Sequence, residues 1–164
     1  MEIPLAELQR NLKTIRLHGM SATLETRLVQ ASQGASFAEV FACLVQDEMD
    51  SRKSRLVETR FKASGLPERP TLTEFDWGFN PKLPRKEIYE LVSCKFVRDG
   101  ADALLIGAPG TGKSHIAKTA AHAAIQTGYK VVYRAAHVIF EHLFETAQLR
   151  RRKKVARLFS ETDL

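Results

Sequence analysis

Gly107-Ala108-Pro109-Gly110-Thr111-Gly112-Lys113-Ser114 matches the pattern G-x-x-x-x-G-K-[ST], in which a glycine loop cradles phosphate groups and runs directly into a helix. Working outward from it, Ala103-Leu104-Leu105-Ile106 upstream is a short apolar run of buried-strand type. Downstream, His115 to Thr127 has helix-compatible composition, closed by Gly128. The predicted order is strand, glycine loop, helix.

The spacing follows from the chemistry. Gly107, Gly110 and Gly112 let the backbone turn tightly, so that successive N–H groups point inward at phosphate oxygens. The helix beginning near Lys113 adds unpaired N–H donors and a partial positive charge. In this reading Gly107, Ala108, Pro109, Gly110, Thr111, Gly112, Lys113 and Ser114 bind ATP: Lys113 reaches the β and γ phosphates, and the Ser114 hydroxyl ligates Mg²⁺. The plainer alternative is a glycine turn that only joins a strand to a helix. It does not account for a match at every fixed position with both flanks in place.

Beyond the loop helix, Tyr129 to Arg134 is a second strand candidate, and Ala135 to Leu149 a helix with Val138, Ile139, Leu143 and Phe144 apolar. Alternating β and α from about residue 102 predicts an α/β fold, a parallel sheet with helices on both faces. The first hundred residues read differently. Leu5, Leu8, Leu12 and Ile15 recur at helical spacing up to Gly19, and a second helix is expected from Ser21 as N-cap. Ser36-Phe37-Ala38-Glu39 is a capping-box signature, opening a long helix with an apolar stripe Phe37, Val40, Phe41, Leu44 and Val45 that stops near Gly65.

On that helix Arg52, Lys53, Arg55, Arg60 and Lys62 are interleaved with Asp47, Glu48, Asp50 and Glu58, which reads as a salt-bridged exposed face. Prolines at 67, 70, 81 and 84 then mark a connecting arm, in which Phe75, Trp77 and Phe79 alternate as an extended segment laying three rings on one surface would require. They are expected to pack as a core strap, one of them being available to line an adenine pocket. A helix resumes over Pro84 to Val92. The expected division is a small all-α domain at 1–65, an arm and helix at 66–101, and an ATPase-type domain at 102–164.

Charge and composition bound the function. The net charge of +6 is matched by Arg150, Arg151, Arg152, Lys153, Lys154 and Arg157, six cations within eight positions. Such a run can neutralise nucleic-acid phosphates in a salt-sensitive, sequence-independent way, or simply form a solvated helix face. No apolar stretch approaches the roughly 20 residues that span a bilayer, and the N-terminus lacks a signal-peptide core, so no membrane partner and a cytoplasmic location are expected. Cys43 and Cys94 read as buried free thiols. The five histidines show no metal-ligand spacing and read as surface or packing residues.

Over nearly its whole length the chain resembles the IstB-like ATPases. The resemblance is carried by Leu17-His18-Gly19-Met20, Glu48 with Arg52, Leu72-Thr73-Glu74-Phe75-Asp76-Trp77, the run from Leu104 through the glycine loop to Ala117, and Gly128-Tyr129-Lys130-Val131. Those proteins are transposition helpers encoded by insertion sequences, related to the DnaC helicase loaders within the AAA+ superfamily. The resemblance implies a P-loop NTPase sheet of AAA+ type, an N-terminal partner-binding domain, and homo-oligomers that assemble with ATP on double-stranded DNA and stimulate a transposase. Only the glycine-loop positions carry over residue by residue; in this context the basic run Arg150, Arg151, Arg152, Lys153 and Lys154 is expected to contact the DNA.

One departure concerns hydrolysis. No hydrophobic run ending in paired acids, the Walker B element, follows Ser114; Thr162-Asp163-Leu164 resembles only its entry, and no arginine finger is recognisable. The resemblance therefore implies the N-terminal portion of such an ATPase, whose sheet would lack its central strands. Retained ATP contacts without turnover are expected. A DnaC-type helicase loader acting in DNA replication, and a vestigial, non-enzymatic interaction module, are the alternative readings.

Overall fold

A computed structural model of the protein describes residues 4–148 and 162–164. The chain divides into two compact units, Met1–Leu56 and Val57–Leu164. The expected DNA-contacting residues Arg150, Arg151, Arg152, Lys153 and Lys154 lie outside the described residues.

The first unit contains α1 (Leu5–Thr14), α2 (His18–Ser32) and the leading part of α3 (Phe37–Ser64). The capping box is formed: Ser36 N–H donates to Glu39 Oε2 at 2.8 Å, and Glu39 N–H to Ser36 Oγ at 3.3 Å. The helix it opens runs to Ser64, just before Gly65. Two boundaries differ from the sequence expectation. The turn after α1 is made at Arg16, with a left-handed φ of 63°, so Gly19 falls in the first turn of α2 instead of ending α1. Ser21 is not an N-cap either; it is buried within α2 and donates to the Gln9 carbonyl at 3.1 Å, tying α2 to α1.

Gly19 is where α2 meets α3. A Cβ there would stand 2.5 Å from the Asp47 carbonyl oxygen and 2.7 Å from Glu48 Cα. That approach lets Glu48 cap a helix not its own. Its Oε2 accepts from Gly19 N–H at 2.6 Å and Met20 N–H at 3.3 Å, while Arg52 Nε donates to Oε1 at 2.7 Å. Because α2 has no side-chain cap from its own sequence, the borrowed carboxylate satisfies its orphan donors and complements its dipole. Beside it, Asp47 takes both arms of the Arg27 guanidinium at 2.8 and 2.7 Å and the Thr23 hydroxyl at 2.6 Å. Glu48, expected on an exposed face, is thus buried, with its side chain only 6% exposed.

These contacts carry a pH dependence. The Arg52 hydrogen bond, aided by the Gly19 and Met20 N–H groups and opposed by desolvation, holds the Glu48 carboxyl below its ordinary 4.5. The Arg27 hydrogen bond likewise holds Asp47 below 3.8. With both values depressed by folding, the unfolded chain binds more protons in acid, so the stabilisation is complete above about pH 5 and is lost as pH falls through the folded-state values. The melting midpoint of the first unit, followed by circular dichroism, is expected to be level above about pH 5 and to drop below it. Glu48→Gln should shrink that acid drop; an undiminished drop would show that Glu48 is not its source.

The second unit is organised around the helix that follows the glycine loop. It contains the end of α3, a 3₁₀ turn at Leu72–Glu74, α4 (Arg85–Val92), α5 (Lys95–Arg98), α6 (Lys113–Thr127) and α7 (Ala136–Gln148). Helix α6 is buried on two sides. Ile116 joins Phe75 and Ile88 in one cluster, with Leu72, Trp77 and Leu105 against it; Ala121, Ala124 and Ile125 join Leu66, Cys94 and Val131 in another. The proline arm is strapped to the same helix. Lys118 Nζ meets Glu68 at 2.7 Å, and His122 Nδ1 donates to the Pro70 carbonyl at 3.0 Å, leaving Nε2 to accept from Gln126.

The expected parallel sheet is not formed. Among the described residues there is no strand, and this part of the chain is helices joined by loops. Ala103 to Ile106 is non-helical and makes no backbone hydrogen bond among the described residues; Leu104 and Ile106 are each 83% exposed, and only Leu105 is packed. In the other expected strand, Tyr129 to Arg134, Val131 is buried, but pairing is limited. Val132 N–H donates to the Leu164 carbonyl at 2.7 Å, Leu164 N–H to Lys130 at 3.2 Å, and Tyr133 N–H to Ser64 at 2.8 Å.

The physical reason is the difference between local and distant pairing. A helix satisfies its backbone from residues four apart, whereas a strand exists only where a neighbour supplies a ladder. These two segments do not pair with each other. A cavity of about 600 Å³ is lined by both, by Ala103 and Leu105 on one and Val131 and Tyr133 on the other.

Candidate nucleotide-binding site

The glycine loop is built as its sequence requires. Gly110 and Gly112 have φ of 77° and 90°, the left-handed region that side chains resist, and a Cβ on Gly107 would press to 3.3 Å from Thr111 Oγ1. The chain then enters α6 at Lys113, and its first turn closes with Ile116 N–H on the Gly112 carbonyl at 3.0 Å. The N–H groups of Gly110, Thr111, Gly112, Lys113 and Ser114 have no protein acceptor among the described residues. Donors without a protein acceptor among the described residues, at the start of a 15-residue helix, fit an anion.

The side chains agree with that fit. Lys113 Nζ folds back to the Ala108 carbonyl at 2.6 Å and lies 3.4 Å from Thr111 Oγ1, which itself donates to Ala108 at 2.9 Å. The ammonium is therefore held over its own loop. Ser114 is exposed, and its hydroxyl has no protein partner among the described residues, so it is free to take a ligand. No group of three or more His, Cys, Asp or Glu side chains among the described residues is arranged to hold a metal ion. Asp163 Oδ2 accepts from Lys130 N–H at 2.8 Å.

The loop forms one wall of an open cleft of about 500 Å³, in the size range of small-molecule sites. Gly110 to His115 line one side; Glu74, Phe75, Asp76 and Phe79 line the rest. The three aromatics of the arm do not share a surface as their alternation suggested, because a 3₁₀ turn and then a turn at Asp76 to Phe79 interrupt any extended run. Phe75 is 9% exposed and packs 4.7 Å from Trp77, which stacks on Tyr89 at 5.7 Å with the Arg85 guanidinium 4.9 Å from its ring. Phe79 turns away into the cleft.

His115, expected to be a surface or packing residue, also lines this cleft, its ring 5.3 Å from Phe75 and its Nε2 buried without a hydrogen-bond partner among the described residues. Its position directly after Lys113-Ser114, on the helix turn facing the loop, was the one available signal. The cysteines are both free, Cys94 buried and Cys43 half-buried. Burial pushes the Cys94 thiol above its ordinary value.

A glycine loop with free N–H donors, a lysine above it and a helix running from it defines a P-loop protein of the nucleotide-binding class. The chain belongs to the IstB-like ATP binding protein family, whose model matches residues 10–163. It is 33% identical over 128 residues to an insertion-sequence IS21 protein of Pseudomonas aeruginosa named for ATP binding, covering 77% of this chain and 48% of that one. A protein in an insertion sequence of Mycobacterium tuberculosis is 32% identical over 74% of this chain and 49% of its own length. A third relative, from insertion sequence IS5376 of Geobacillus stearothermophilus, is 30% identical over 79% and 51%. The chain thus spans about half the length of these curated relatives. No helix among the described residues is long and apolar enough to cross a membrane.

Proposed function

We propose that the protein is an ATP-binding helper of DNA transposition, in which Gly107 to Lys113 hold the triphosphate and Ser114 ligates its Mg²⁺. The observation that carries this reading is the set of N–H groups from Gly110 to Ser114 that have no protein acceptor among the described residues, beside the Lys113 ammonium, in a family named for ATP binding. Bound Mg²⁺ would offset phosphate charge; the loop's own part is to orient the phosphates through its N–H groups and Lys113. Nucleotide binding is the activity assigned to these 164 residues.

The insertion-sequence relatives support a transposition-related role. In this reading a transposase is the protein partner, met by the helical region 1–65, and double-stranded DNA is the surface on which copies of the protein assemble. Arg150, Arg151, Arg152, Lys153 and Lys154 are the DNA contacts in this reading, and the cytoplasm is where they act. Their contribution is electrostatic: a duplex-binding isotherm should weaken steeply with salt, with a slope set by the number of phosphates neutralised. Arg151→Glu with Lys153→Glu should flatten the slope by about two counterions. An unchanged slope would remove the basic run from the DNA contact.

A further inference from the structure

The cleft beside the glycine loop is lined by two chemically opposite sets of residues. Gly110 to Ser114 and Lys113 offer donors and positive charge; Glu74, Asp76 and Phe79 offer carboxylates and a bare ring. Phe75 joins them, its Cζ 3.9 Å from where a Cβ on Gly112 would stand and its ring 5.3 Å from His115. We propose that Phe79 receives the base of a bound nucleoside triphosphate, with Glu74 and Asp76 accepting from amino or hydroxyl groups of the base and ribose. This rests on the phosphate-binding reading above.

Charge fixes the orientation. A triphosphate is drawn to the loop and repelled by the two carboxylates, so the opposite end of the nucleotide, which carries N–H and O–H donors, is the end that suits them. Glu74 uses one oxygen to accept from Thr71 Oγ1 at 3.1 Å, and Asp76 one oxygen to accept from Gly78 N–H at 2.8 Å. The second oxygen of each has no protein partner among the described residues.

The choice of ring follows from packing. Phe75 and Trp77 are occupied, Phe75 between Trp77 and His115, Trp77 between Phe75 and Tyr89. Phe79 is 64% exposed, lines the cleft, and has no aromatic partner among the described residues. It is the arm's one ring with a face left for stacking.

The test is calorimetric titration of the whole chain with MgATP and, separately, with magnesium tripolyphosphate, which has the phosphates and no base. Phe79→Ala should weaken MgATP about tenfold, the worth of one base stacked on an aromatic ring, and leave tripolyphosphate unchanged. Phe79→Tyr, which keeps the ring, should restore ATP affinity. Equal losses for both ligands, or no loss for ATP, would overturn the proposal. Failure of the underlying reading looks different: the parent chain would bind neither ligand, or Lys113→Ala would leave tripolyphosphate affinity intact, and the base subsite would fall with it.

Discussion

Gly19→Val is expected to unfold the first unit of the protein. The Cβ alone would meet backbone atoms of α3 at 2.5 and 2.7 Å, and backbone cannot move aside as the tip of a flexible side chain can. Separating α2 from α3 would also break the hydrogen bonds from Gly19 and Met20 N–H to Glu48, leaving a buried carboxylate short of donors. Overpacking costs about 1–3 kcal/mol and each stranded buried group about 1–3 kcal/mol more. A unit of this size holds only about 3–8 kcal/mol in total. Hydrogen exchange should show the amides of α2 losing protection while those of α6 keep theirs. Protected α2 amides in Gly19→Val would mean that the close approach is not essential.

Lys113→Ala is expected to weaken MgATP binding about a hundredfold without lowering stability. Hydrogen bonds to charged groups are worth about 1.5–3 kcal/mol each, and a triphosphate offers the ammonium more than one oxygen. The fold should be indifferent, because among the described residues the Lys113 ammonium bonds only to the Ala108 carbonyl and Thr111 hydroxyl of its own loop, and alanine is a good residue for the first turn of α6. Calorimetry gives the affinity and the melting midpoint gives the control. A loss below about threefold would show that Lys113 does not touch the phosphates.

What the sequence made legible divides along the range of the interactions involved. The capping box at Ser36 and Glu39, the helix running to Ser64, and the loop helix ending at Gly128 were all readable because each is decided within a few residues. The buried role of Glu48 was not, since its partners Gly19 and Met20 lie some thirty positions away and its neighbours in sequence are charged.

The sheet failed as an expectation for the same reason in reverse. Ala103 to Ile106 has the composition of a buried strand, but composition does not supply a partner, and without one Leu104 and Ile106 remain in solvent. At the site, the residues of the glycine loop were legible as a pattern of fixed spacing. On the opposing wall the arm's rings were legible as candidates to line a base pocket, but which ring faces the loop, and that Glu74 and Asp76 join it, was not, because that depends on where a proline-rich arm is strapped by Lys118 and His122.

The most direct test of the central claim, that this loop binds a nucleotide, is the thermal midpoint of the chain with and without MgATP. A ligand held only by the folded state at about a hundred times its Kd stabilises by about 2.7 kcal/mol, enough to raise the midpoint by several degrees. The rise is predicted for the parent chain and not for Lys113→Ala at the same nucleotide concentration. No rise in the parent, or an equal rise in both, would contradict it.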